Sequence, residues 1–273
     1  MKNICVVTGG GSGMGFEAAK LLGRDHKIIL MGRTVSKLEH AIQKLTDSGI
    51  EAEAYPGDTS NRESVKKLAA YAAEQGNVDV VIHAAGVAPS MTDASHVIEI
   101  NAIGTIIIDE EFSKIMQPGS CILNVSSSSA YMLPASMIPT QTFPMSLESV
   151  DAFRTAICNV LNAMPEERRG SMAYPFSKSF VVWYTERMAV RLAPKGIRVI
   201  SIAPGVIETP LSASESSSAT LAMSCPLKRI GNTEEIAKMM DFMIRDSYLD
   251  GVDILYDGGL IASMHARADS AKQ

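Results

Sequence analysis

Ile4-Cys5-Val6-Val7-Thr8-Gly9-Gly10-Gly11-Ser12-Gly13-Met14-Gly15 is the stretch whose reading decides the fold. An apolar run is followed by a turn almost bare of side chains. A helix then begins near Gly13 and carries Phe16, Ala19, Leu21 and Leu22 toward a core. Glycines let backbone approach a pyrophosphate within hydrogen-bond range, and the free N–H groups and positive dipole end of the following helix hold its charge. The strand–turn–helix order is the context that such a cradle requires. The spacing G-x-G-x-x-G is absent, because Met14 stands where the third glycine would fall. What fits is T-G-x-x-x-G-x-G, so Thr8, Gly9, Gly11, Ser12, Gly13, Met14 and Gly15 are the candidate cradle.

Outward from this turn, short β-branched runs alternate with amphipathic stretches. Strands are expected at Lys27–Met31, Glu51–Tyr55, Asp79–His83, Ser120–Val125, Arg198–Ala203 and Asp253–Tyr256. Helices are expected at Val35–Thr46, Ser64–Ala73, Ala94–Phe112, Tyr174–Leu192 and Glu234–Arg245. Strand–helix units of this length demand right-handed crossovers. The expected fold is therefore α/β, a doubly wound, parallel, seven-stranded sheet covered on both faces. Ligands of such sheets bind at the C-terminal strand ends. Thr8, Arg33, Asp58, Ala84 to Gly86, Ser127 and Pro204-Gly205 fall there.

The 273 residues suffice for one large core and one domain. Lys and Arg number 25 against 30 Asp and Glu, for a net charge of −5. That balance argues against nucleic-acid and membrane partners. Cys5, Cys121, Cys158 and Cys225 are scattered, without C-x-x-C spacing, and read as reduced thiols of a cytoplasmic protein. The N-terminal apolar run is too short for a signal peptide, and no stretch reaches membrane-spanning length. The histidines form no cluster with carboxylates, so no metal is expected.

Tyr131–Gly170 breaks the rhythm, with prolines at 134, 139 and 144 and a helical spacing of Leu147, Val150, Phe153, Ile157, Val160, Leu161 and Met164. Excursions this long often serve a site, and a lid is expected from residues 131–170. Just beyond, Tyr174-Pro175-Phe176-Ser177-Lys178 sets a phenol and an ammonium one helical turn apart on one face. A free phenol, with a pKa of about 10, is a poor acid–base catalyst at neutral pH, and a nearby ammonium favours its phenolate. The strand exit Asn124-Val125-Ser126-Ser127-Ser128-Ser129 offers a hydroxyl that could hydrogen-bond a carbonyl and stabilise oxyanion charge.

With these motifs in order, the chain resembles the short-chain dehydrogenase/reductase family over nearly its whole length. Thr8 to Gly15 match the glycine turn, Asp58 and Thr59 the adenine-side segment, and Ala84-Ala85-Gly86 the N-A-G segment, with His83 where asparagine is usual. Pro204-Gly205-Val206-Ile207-Glu208-Thr209 match the nicotinamide-gripping segment, whose candidates are Pro204, Gly205, Ile207 and Thr209, and Asp257-Gly258-Gly259 the C-terminal signature. The resemblance implies a Rossmann-like fold and interconversion of an alcohol and a ketone. Tyr174 would be the acid or base, and Lys178 would lower its pKa and bind the nicotinamide ribose. Asn101 would hold a relay water, and Ser127 would orient the substrate, with Ser126 and Ser128 as alternatives. Ser127 and Tyr174 are 47 positions apart, several times the family's usual interval. This insertion resembles the subgroup of bacterial 3α-hydroxysteroid dehydrogenase/carbonyl reductase and implies a hydroxysteroid or other bulky apolar substrate. The family also implies a substrate-covering loop, here 211–225, and a homodimer or homotetramer paired through the Tyr174–Leu192 helix and the one before it.

The second strand ends Leu30-Met31-Gly32-Arg33-Thr34. NAD-binding members usually place an acid at the position of Gly32, whereas Arg33 and Thr34 could meet a 2′-phosphate. NADP is therefore favoured, with NAD as the alternative. Two rival readings are a sugar-nucleotide epimerase, against which Ser12 breaks the glycine spacing, and a catalytically silent dinucleotide sensor.

Overall fold

In a computed structural model, residues 2–213 and 218–270 are described. The strands are β1 (Asn3–Thr8), β2 (His26–Gly32), β3 (Ala52–Pro56), β4 (Val78–His83), β5 (Cys121–Val125), β6 (Arg198–Pro204) and β7 (Asp253–Tyr256). The helices are α1 (Gly13–Leu22), α2 (Val35–Asp47), α3 (Arg62–Gln75), α4 (Ala94–Ile98), α5 (Gly104–Phe112), α6 (Val150–Asn162), α7 (Glu166–Leu192), α8 (Pro210–Ala213), α9 (Ser218–Ser224), α10 (Thr233–Arg245) and α11 (Leu260–Ser270). The sheet order is β3-β2-β1-β4-β5-β6-β7, and every pairing is parallel. This is the expected single α/β domain. The order reverses between β1 and β4, where a doubly wound sheet opens its ligand crevice.

The strands bury both faces because helices cover both. Val6, Val81, Ile122 and Val199 pack with α3, α5 and α7, while Val7, Ile82, Leu123 and Ile200 pack with α1, α2 and α10. Helix starts are set by side-chain caps: Asn61 accepts from Ser64 N–H before α3, Asp93 from His96 N–H before α4, and Asn232 and Glu235 form a capping box at α10.

On the face covered by α5 and α7 lies a row of polar side chains. Thr8 registers with His83, His83 with Asn124, Asn124 with Ser201, and Ser201 with Asp253. The row crosses five strands, from the C-terminal ends of β1 and β4 through the middle of β6 to the first residue of β7.

Three elements differ from the sequence reading. The single helix expected over Ala94–Phe112 is interrupted by a π turn at Glu99–Ile103, because one residue more per turn is accommodated around Asn101. The helix expected to start at Tyr174 starts at Glu166 and runs through Pro175, whose missing N–H leaves the Ser171 carbonyl without its helical donor. Finally, α6, expected within a lid over the site, is packed into the core. Phe153, Ile157 and Leu161 are buried in the same core as Phe180 and Tyr184 of α7. Phe153 stacks on Phe180 at 4.3 Å between centroids, and Phe143 meets Phe180 edge-on at 5.3 Å. Arg154 of α6 pairs with Glu99 at 2.5 Å and anchors the same segment.

Candidate active site

The glycine turn forms one wall of a cleft of about 1000 Å³ at the C-terminal edge of the sheet. Gly9 has φ +67°, and a Cβ there would lie 2.7 Å from the Ala85 nitrogen, so only glycine permits this contact. Gly13 also has positive φ, and a Cβ there would touch the Thr209 side chain at 3.4 Å. Thr8 is fully buried beneath the turn, with Oγ1 accepting from Ala85 N–H at 3.3 Å and lying 2.8 Å from His83 Nδ1. Ser12 opens α1 without a side-chain cap bond, leaving the first-turn N–H groups to a ligand. A dinucleotide pyrophosphate fits this bare cradle.

Toward the end of β2, Gly32 and Arg33 line the cleft together with Lys37, a residue the sequence reading missed. Lys37 stands in the first turn of α2, and no local pattern marked it as facing the cleft. Thr34 precedes α2 at its N-cap position without a side-chain cap bond, exposed and off the cleft wall. Asp58 lines the cleft, its Oδ1 held by the N–H and hydroxyl of Ser60 at 2.9 and 2.7 Å, and Thr59 is beside it.

The reactive end gathers Ser127 from the exit of β5, Tyr174 and Lys178 from α7, and Pro204, Gly205, Ile207 and Thr209 from the exit of β6. Lys178 is 5% exposed and donates to the Val125 carbonyl at 2.8 Å. Its Nζ lies 5.9 Å from the Tyr174 ring centre. Burial brings its pKa down to about 8, against an opposing pull from Asp253. Ser127 Oγ accepts from Ser129 N–H at 3.2 Å, which leaves its proton for a carbonyl in the cleft. Ser126 is committed elsewhere, with Oγ 2.6 Å from Asp253 and 2.9 Å from the Ile202 carbonyl.

Asn101 and Gly11 are not on the cleft wall. Asn101, buried in the π turn, accepts from Val87 N–H at 2.9 Å and donates to the Val87 carbonyl at 3.0 Å and to Ser177 at 3.3 Å. It fastens the chain after Gly86, where Ala84, Ala85 and Gly86 line the cleft. His83 is held neutral, its pKa pushed down to about 3 by burial and by the Lys178 charge.

The rest of the wall is largely apolar: Met91, Met132, Leu133, Leu221 and Leu260, with Ser171. Only the two ends of the 131–170 insertion reach it, through Met132, Leu133 and Gly170. Of the 211–225 loop, Ser212 and Leu221 line the cleft, and positions 214–217 lie outside the described residues. Among the described residues no helix is long and apolar enough to cross a membrane, and no His, Cys, Asp and Glu group could hold a metal.

Fold and site together define a nicotinamide-dinucleotide oxidoreductase. A family model described as short chain dehydrogenase matches residues 3–139, and one described as enoyl-(acyl carrier protein) reductase matches residues 157–261. The chain belongs to the short-chain dehydrogenase/reductase family, whose members bind a nicotinamide dinucleotide, and it is a short-chain alcohol dehydrogenase/ketone reductase. It is 28% identical to a cis-4-hydroxycyclohexanecarboxylate dehydrogenase of Sinomonas cyclohexanicum, over 96% of this chain and 97% of the relative. It is also 28% identical to the 3-hydroxyacyl-CoA dehydrogenase type-2 of Rattus norvegicus, over 94% of each. A solved short-chain type dehydrogenase/reductase from Mycobacterium ulcerans shares the fold with a TM-score of 0.75 at 26% identity, covering 95% of this chain and 90% of that one.

Proposed function

We propose that the protein is an NADP(H)-dependent oxidoreductase that interconverts a secondary alcohol and a ketone on a bulky apolar substrate, of which a hydroxysteroid is one candidate. The observation that carries the reading is the convergence of Ser127, Tyr174 and Lys178 on the cleft that the glycine turn opens. When bound, the nicotinamide supplies or accepts the hydride. The protein's part is alignment and proton handling. Ser127 donates to the carbonyl oxygen and Tyr174 Oη delivers the proton in reduction, or takes it in oxidation. The Lys178 ammonium favours the phenolate, and Asn101 holds the Val87 turn beside it. The apolar wall excludes water from these groups.

The preference for NADP(H) is supported by Arg33 and Lys37, two cations that line the cleft beside the side-chain-free Gly32 and whose charge suits a 2′-phosphate. The substrate class rests on Met91, Met132, Leu133 and Leu221. The ends of the insertion and the 211–225 loop are proposed to close over that substrate. A dimer or tetramer is proposed by family likeness. In this chain α6 packs beside α4 and α7, and α7 keeps exposed residues at both ends, Glu166 to Arg168 at one and Glu186, Arg187 and Val190 at the other.

Loss of NADPH absorbance across a panel of steroid, decalone and cyclohexanone ketones tests the reading. Tyr174→Phe is expected to slow turnover by about 10²–10⁴-fold without loss of nucleotide binding. Arg33→Asp is expected to reverse the NADP/NAD ratio of kcat/KM. Tight nucleotide binding with no turnover of any ketone would instead favour a silent sensor.

A further inference from the structure

We infer that Asp253 is a positioning residue of this active site: its carboxylate ties the exit of β5 and the first turn of the insertion to β7, and thereby fixes where Ser127 presents its hydroxyl. The inference rests on the reading of Ser127 as the group that meets the substrate carbonyl.

Asp253 opens β7, and aspartate is depleted in strands. Here three hydroxyls satisfy it. Ser201 of β6, its register partner, donates to Oδ1 at 2.5 Å, and Ser126 at the exit of β5 reaches the same oxygen at 2.6 Å. Tyr131, in the 3-10 turn that opens the insertion, donates to Oδ2 at 2.6 Å. An ionised carboxylate only accepts, so hydroxyl donors suit it, and such bonds are about twice as strong as neutral ones.

The consequence lies one residue from each tie. Ser126 to Ser129 are four hydroxyls in a row, each a competing donor at the cleft. Successive residues of extended chain point to opposite sides. With Ser126 drawn toward β7, Ser127 faces the cleft, at φ −167° and ψ 152°. With Tyr131 drawn the same way, Met132 and Leu133 become cleft wall. The Asp253 charge also opposes the effect of burial on Lys178.

A double-mutant cycle separates positioning from plain support. Asp253→Asn, Ser127→Ala and the double variant are assayed for 2-decalone reduction with NADPH, with urea unfolding in parallel. Asp253→Asn is expected to lower kcat about tenfold with KM nearly unchanged, and Ser127→Ala about 100-fold. The double variant is expected to be no more than twofold slower than Ser127→Ala. If Asp253→Asn does not fold, Tyr131→Phe and Ser126→Ala cut the ties singly, and their few-fold losses in kcat should also vanish in the Ser127→Ala background. A full tenfold further loss in the double variant overturns the proposal alone, as does an undiminished kcat in folded Asp253→Asn. Parental turnover by Ser127→Ala overturns the reading of Ser127 and this proposal with it.

Discussion

The Lys178 ammonium and the Val125 carbonyl are joined at 2.8 Å in the interior, so α7 is tied to the last residue of β5 by a buried cation. That one bond places the cation both beside Tyr174 and directly behind the serine run. It also keeps a charge where burial disfavours it.

Lys178→Met is expected to give a more stable and inactive protein. Burial lowers the folded-state pKa of Lys178 from 10.5 to about 8, so above pH 8 the unfolded chain binds the proton more tightly than the native one. Stability therefore rises with pH between about 8 and 10.5, and the whole penalty, on the order of 3 kcal/mol, is present at pH 7. Leaving the Val125 carbonyl without its donor costs about 1 kcal/mol. Urea unfolding at pH 7 should show a net gain of about 2 kcal/mol, shrinking toward pH 10. Equal stabilities at both pH values would contradict this account.

Asp109 is expected to give stability an opposite slope. Burial raises its carboxyl from 3.8 to about 8, although Asn124 donates to it at 3.0 Å. The native state keeps this proton where the unfolded chain releases it. Stability is thus lost as pH climbs from about 4 to about 8, by at most about 6 kcal/mol in all. Asp109→Asn carries no such proton, and its denaturation midpoint should vary less over that range than the parent's.

Phe153→Ala tests whether the insertion belongs to the core. The ring is fully buried against Phe180 and Phe143. Truncation should cost about 3–5 kcal/mol, a core-sized loss rather than the small change expected of a surface segment. Chemical denaturation measures it directly.

Gly9→Ala should abolish nucleotide binding. Its Cβ would meet Ala85 and Ala84 backbone atoms at 2.7 and 2.8 Å, and the residue needs φ +67°. Backbone must move at the mouth of the cleft. Titration with NADPH, followed by its fluorescence, should show the loss even where circular dichroism reports a folded chain.

Much of this architecture was legible from local pattern. Apolar runs reported buried strands, amphipathic spacing reported α2 and α10, and the Thr8 to Gly15 turn reported a phosphate cradle through steric bareness alone. The Tyr174–Lys178 spacing reported a shared face on any helix. Other features carried no local signal. The helix expected from Tyr174 continues upstream to Glu166, although Pro175 deprives the Ser171 carbonyl of its helical donor. Asn101 sat in an apparently regular helix, and the π turn that turns its amide onto Val87 follows from contacts with a distant loop.

Sequence alone determined the strand–helix alternation, the glycine cradle and the identities of the phenol, ammonium and hydroxyl, because each depends on residues close in the chain. Tertiary structure alone decided the rank Thr8, His83, Asn124, Ser201 and Asp253, the place of Lys37 on the cleft, and the burial of α6. Parallel neighbours are joined through long crossovers, so which residues stand side by side is set by how whole helices pack. No short window of residues records that.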